Sequence, residues 1–218
     1  MRSATSAPEA CDFAAVTLTR TLQPEIWNTV SLPFALDRDQ IAASPLNGAT
    51  IYAFSESNAS NITFVSAYTI EAGKPYLVKL PEGTTESIVN PTFTGVTIEA
   101  TEGETEGSEG NVQFVGQTYN KSLAGVNDVC YLATNGKVKQ LAENGAIKGL
   151  RAYFIVPDAQ QQSSGVKLFF NSVEDGIQTI ANGQQHLTNS PIYNLAGQRV
   201  NNVLKGIYIV NGKKMLVK

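Results

Sequence analysis

Tyr131-Leu-Ala-Thr-Asn-Gly-Lys-Val-Lys-Gln-Leu141 decides how the chain is to be read. Two short runs of strand-forming residues flank an Asn-Gly pair. That pair tolerates positive φ at both central positions, the backbone a type I′ hairpin turn requires. The stretch therefore predicts two antiparallel strands. The C-terminus repeats the pattern: Ile207-Tyr-Ile-Val210, then Asn211-Gly212, then Lys213-Lys-Met-Leu-Val217. Asn-Gly also occurs at 47–48, 144–145 and 182–183, where it is expected to end strands.

Away from the turns, side chains alternate with period two, the spacing that puts every second residue on one face of a strand. Val30, Leu32 and Phe34 share a face, with Thr29, Ser31 and Pro33 opposite. Tyr76, Val78 and Leu80 form a second set, Val166, Leu168 and Phe170 a third, and Val112 and Phe114 a fourth. Ile51-Tyr-Ala-Phe54 and Tyr153-Phe-Ile-Val156 are short apolar runs of β-branched and aromatic residues, which favours strand. Only Ala35–Ala43 offers a turn or two of helix. Short strands without interleaved helices predict an all-β protein, an antiparallel, jelly-roll-like β-sandwich over 12–172. Residues 1–11 read as a disordered linker or an edge of a longer chain. After a polar boundary near Asn171–Gly176, residues 177–218 read as a small C-terminal β-hairpin subdomain. About 40 residues cannot sustain a large core, so the tail is expected to pack on the larger domain or to await a partner.

The composition narrows the function classes. The chain has 218 residues and a net charge of −3, against the basic face that nucleic acid selects. Charged residues make up 16%, below the usual quarter or so. No run approaches the ~20 apolar residues of a membrane span. The start, Met1 to Ala10, has no apolar core and is not read as an intact signal peptide. Cys11 and Cys130 stand far apart, and sequence leaves open whether their Cα atoms come within the roughly 7 Å a disulfide needs. Neither has metal-ligand spacing.

Reactive constellations are scarce. The single histidine, His186, sits in a polar stretch with no Cys or His at metal spacing and reads as an exposed loop residue. Gly-x-Ser-x-Gly, phosphate-loop and dinucleotide fingerprints do not occur. A glycosidase needs two carboxylates about 5–10 Å apart. Glu25, Asp37, Asp39, Glu56, Glu71, Glu82 and Glu86 supply carboxylates, but their spacing singles out no pair. The acidic, Gly-rich stretch Glu99–Gly110 is expected to be an exposed, mobile loop, since its charges repel and its glycines resist ordering. It lacks the EF-hand order of calcium ligands. Asn58 and Asn61 begin Asn-x-Ser/Thr sequons within a polar loop and are read as loop composition. Arg151 is read as a structural hydrogen-bond donor. The aromatics offer another chemistry, since Trp27, Tyr52 and Tyr76 are candidates for stacking a sugar ring, although such rings more often complete a core. Cofactors and metals are expected to be none.

One resemblance adds location. The run Ile192-Tyr193-Asn-Leu-Ala-Gly197-Gln198-Arg-Val200, then Lys205-Gly206-Ile-Tyr208-Ile and a closing basic strand containing Lys214, is similar to the C-terminal sorting domains of the type IX secretion route of Bacteroidota. In that pattern a strand enters a Gly turn, a second strand comes next, and a Gly-x-Tyr strand precedes the last basic one. Sorting domains of that family are longer than the segment after Gly176 in this chain. Upstream, Trp27–Phe34, Ile70–Lys79, Phe114–Tyr119 and Arg151–Phe154 more loosely resemble a C-terminal module of Bacteroidales surface proteins. The resemblance implies a secreted or cell-surface location outside the outer membrane. It also implies export machinery as a partner of the tail, and a surface glycan or another surface protein as a partner of the domain. The expected function is a non-catalytic structural or adhesion module with a sorting or capping tail. The alternatives are a carbohydrate-binding module and a glycoside hydrolase or its accessory domain.

Overall fold

A computed structural model of the chain describes residues 6–123, 125–143, 145–158, 165–171, 177–180, 192–195, 197–200, 206–210 and 213–217. The protein is all-β, built mainly from antiparallel pairings, and it divides into two compact units, 1–170 and 171–218.

In the larger unit, β1 (Cys11–Thr17), β2 (Thr21–Leu22) and β3 (Asn28–Ser31) precede a short helix, α1 (Arg38–Ala42). Then come β4 (Thr50–Ser57), β5 (Asn61–Ser66), β6 (Pro75–Lys79), β7 (Ile88–Val89), β8 (Thr92–Ile98) and β9 (Thr105–Glu106). β10 (Gln113–Gln117), β11 (Val129–Leu132), β12 (Val138–Gln140), β13 (Arg151–Ile155) and β14 (Lys167–Asn171) complete it, β14 ending at the junction. One five-stranded sheet runs β14-β5-β4-β6-β3 and a second runs β12-β11-β13-β10-β9. β1 pairs with β8 as a separate antiparallel ribbon, and β2 pairs with β7.

The alternation read from the sequence sorts side chains between layers. Tyr52, Ile62, Phe64 and Leu77 of the first sheet meet Phe114, Cys130, Ala152 and Phe154 of the second, and Val112 just before β10, in one core. Phe64 stands edge-on to Phe114, which stacks on Phe154 at 4.9 Å. The opposite face of the first sheet is buried as well along β3 and β6. Val30, Leu32, Phe34, Tyr76, Val78 and Leu80 form a second core with Phe93 and Val96 of the ribbon. β6 is therefore buried on both faces, which explains why Pro75–Val78 reads as almost continuously apolar. A smaller cluster, Val115, Val129 and Tyr153, lies under loop residues such as Leu123 and Leu141 on the outer face of the second sheet.

The details correct several expectations. Cys11, assigned to the linker, is the first residue of β1 and pairs with Ile98. The Asn135-Gly136 hairpin joins β11 to β12 as predicted, but only Gly136 takes positive φ, at +75°. Ala133 N–H donates to Lys137 C=O and Asn135 Oδ1 accepts from Lys137 N–H, so the loop holds three residues rather than a two-residue type I′ turn. The helix has a capping box: Asp37 Oδ1 accepts from Gln40 N–H at 2.7 Å, and Gln40 Oε1 accepts from Asp37 N–H at 2.9 Å.

The acidic stretch is the largest departure. Its glutamates are mostly exposed, but its backbone is fixed. Thr105 and Glu106 form β9 against β10, Glu104 N–H donates to Gly73 C=O, and Thr118 N–H donates to Glu102 C=O. Backbone pairing outweighs repulsion between side chains that remain in water, where charge pairs are screened.

The C-terminal unit is a four-stranded sheet of β15 (Ile177–Ile180), β16 (Ile192–Tyr193), β17 (Gly206–Val210) and β18 (Lys213–Val217), in the order β15-β18-β17-β16. The predicted hairpin is β17–β18, with Val210 opposite Lys213. The parallel pairing of β15 with β18 was not anticipated.

Candidate functional site

Burying a polar group is costly unless it is bonded. The buried polar side chains described are Arg20, Asn28, Ser31, Gln117 and Thr118. Each donates to main-chain carbonyls. Arg20 reaches Thr29 C=O on β3 and Leu150 C=O just before β13, tying the first sheet to the second. Asn28 donates to Gln23 and Ile26 carbonyls and accepts from Gln23 N–H, which folds the loop before β3. Ser31 Oγ donates to Gly73 C=O, Gln117 Nε2 to Ile147 C=O, and Thr118 Oγ1 to Thr101 C=O. Burial and the nearby Arg151 pull the Arg20 guanidinium down to about 9, which leaves it charged at neutral pH. Arg151 is also lowered by burial. Nothing in the sequence set Arg20 apart, since Thr19-Arg20-Thr21 reads as solvated surface.

Where these bonds converge, backbones approach closely. A Cβ on Gly116 would lie 2.4 Å from Gly73 O and 2.6 Å from Ser31 Oγ. One on Gly103 would lie 2.2 Å from Gly116 O. The acidic stretch is thus locked against β10 through positions that only glycine fits.

Of the stacking candidates, Tyr52 and Tyr76 are buried. Tyr76 Oη accepts from Glu71 N–H at 3.0 Å, and burial raises its phenol. Trp27 is half-buried. Its ring stacks on Phe170 at 5.0 Å, stands edge-on to Tyr52 at 5.5 Å, and has Lys79 Nζ 6.0 Å from its centroid. These rings close the end of a core, as aromatics at strand positions usually do.

The seven carboxylates named from the sequence are all exposed. Two of them, Glu25 and Glu82, line one open cleft of about 500 Å³ together with Thr50, Lys79 and Pro81. Glu25 holds φ at +61°, an uncommon conformation for a non-glycine residue. Asp37 and Asp39 line a smaller cavity of about 200 Å³ with Gln40 and Phe93, Asp37 also capping α1, and Glu71 pairs with Lys74 at 2.9 Å. Among the described residues no group of three or more His, Cys, Asp or Glu side chains is placed to hold a metal. Cys11 is exposed and Cys130 buried, and both are free thiols. Burial and Asp128 push the Cys130 thiol up to about 11. No helix among the described residues is long and apolar enough to cross a membrane.

In the tail, Gly197 has φ +78° at a turn where Asn194 and Gln198 bond through both backbone and side chain. Tyr193 and Tyr208 are half-buried on β16 and β17, and Gly206 begins β17. Lys214 lies opposite Ile209 on one side and Ile177 on the other. His186 falls outside the described residues. In comparisons with known proteins the chain matches no family model, no curated protein and no solved structure.

Proposed function

We propose that this chain is a non-catalytic structural or adhesion module of a secreted or cell-surface bacterial protein, with its C-terminal unit serving sorting or capping. One observation carries the reading: the buried polar side chains bond main-chain carbonyls and hold loops to sheets. Apart from Arg20 Nε and Gln117 Oε1, which are buried without a partner, the bonds made by these side chains supply rigidity, the property a structural or adhesive module needs. The resemblance of the tail to sorting domains supports the export half. To test the module, the purified chain is incubated with a polysaccharide panel while released sugar is measured. No release is expected, and release abolished by Glu25→Gln or Glu82→Gln would overturn the reading. Fusing residues 171–218 to a reporter in a host with type IX machinery tests the tail. Surface delivery is expected, and periplasmic retention rejects the sorting role.

A second reading, carbohydrate binding, is favoured by the cleft of Glu25, Thr50, Lys79 and Glu82. Its mixed donors and acceptors suit sugar hydroxyls, and its volume lies within the usual range for small-ligand sites. Glycan-array binding lost in Lys79→Ala selects this reading over the first.

A further inference from the structure

The last strand of the chain is an internal strand of its sheet. β18 pairs in parallel along the whole of Ile177–Ile180 and antiparallel along the whole of Gly206–Val210. β15 has no other neighbour among the described strands, and β16 meets β17 only at Ile209 and Val210. Without β18, β15 is left single and β17 keeps a two-residue partner. Such a remnant lies below the three strands or more that independent stability needs, and a unit this small has little other core to draw on. The large unit is arranged differently, because its first strand, β1, belongs to a peripheral ribbon and both five-stranded sheets close without it.

We propose that Lys213–Val217 is a detachable completing strand. The slot between β15 and β17 is a binding site for one extended, lysine-led strand, and the C-terminal unit holds its fold only while that slot is filled. The two rims of the slot set the polarity of the occupant, which must run parallel to β15 and antiparallel to β17. In cis, Val210 stands opposite Lys213, which sets the register. In trans, the fitting partner is the same strand supplied by a second copy or as a peptide. Any receptor that captures the terminal strand thereby opens the unit. This goes beyond the sorting or capping reading and stands whether or not that reading holds.

The test uses the full chain and a version ending at Gly212, with amide exchange followed at 177–180 and 206–210. Truncation is expected to speed exchange by at least about tenfold at both segments, with the melting of the large unit unchanged. Added Lys213–Lys218 peptide should restore protection at both, and the same peptide carrying Met215→Pro should not, since proline removes a ladder N–H from a central strand. Retained protection in either segment after truncation overturns the proposal, as does failure of the peptide to restore it. Within the full chain, Met215→Pro should deprotect both segments, whereas Ile192→Pro on the outer strand should leave 177–180 protected. Equal loss from the two prolines also overturns it.

Discussion

The two units of this chain solve the same problem by opposite means. The larger stacks two five-stranded sheets and a ribbon, so that β3 and β6 of one sheet are buried on both faces and large aromatics such as Phe64, Phe114 and Phe154 are wholly enclosed. The smaller relies on a ladder whose keystone is its final strand. The difference teaches where each unit is vulnerable. Side-chain volume governs the first and strand continuity the second.

The largest expected effect tests that division directly. Phe114→Ala removes a fully buried ring between Phe64 and Phe154 and should cost about 4 kcal/mol. Urea unfolding should show the loss in the large unit while amide protection at 206–210 stays intact. A joint loss would mean that the two units fold as one. Next, Gly116→Ala drives a methyl into Gly73 O and Ser31 Oγ and should cost about 2 to 3 kcal/mol. If its urea midpoint matches that of the native chain, the approach of β10 to Gly73 and Ser31 is looser than its geometry indicates.

A smaller effect comes from the Cys130 thiol, held at about 11 against an ordinary 9.0. The folded state keeps this proton when the unfolded chain has lost it. The associated stability is therefore complete below pH 9 and is lost as pH rises toward 11, by up to about 2 kcal/mol. Tyr76 and Tyr153, also raised by burial, push in the same direction. Urea midpoints from pH 8 to 11 should fall, with a shallower slope in Cys130→Ala. Alkylation of the native protein should modify Cys11 and spare Cys130. Last, Asp37→Ala removes the capping box of a short surface helix and should cost about 1 kcal/mol in a urea titration, with both cores intact.

Much of the larger unit was legible in its residues. Val30, Leu32 and Phe34 do share one core, as do Tyr76, Val78 and Leu80, because period-two alternation is a local signal that any buried face imposes. The short helix was visible in the same way, and its cap lies where Asp37 and Gln40 are three residues apart. The ordering of the acidic stretch was invisible, because its partners Gly73 and Thr118 are remote in sequence or lie beyond a loop. The Trp27 cluster was ambiguous for a related reason. An aromatic at a strand end reads the same whether a sugar or Phe170 stacks on it.

By itself, then, the sequence determined strands, turns and which side chains share a face, since those are set by backbone sterics and alternation within a few residues. Only the tertiary structure decided that one sheet would be covered twice, that Arg20 would lie buried between Thr29 and Leu150 carbonyls, and that the last strand would enter the middle of its sheet. Those outcomes depend on which distant main-chain groups finally meet, and no local pattern of residues encodes that meeting.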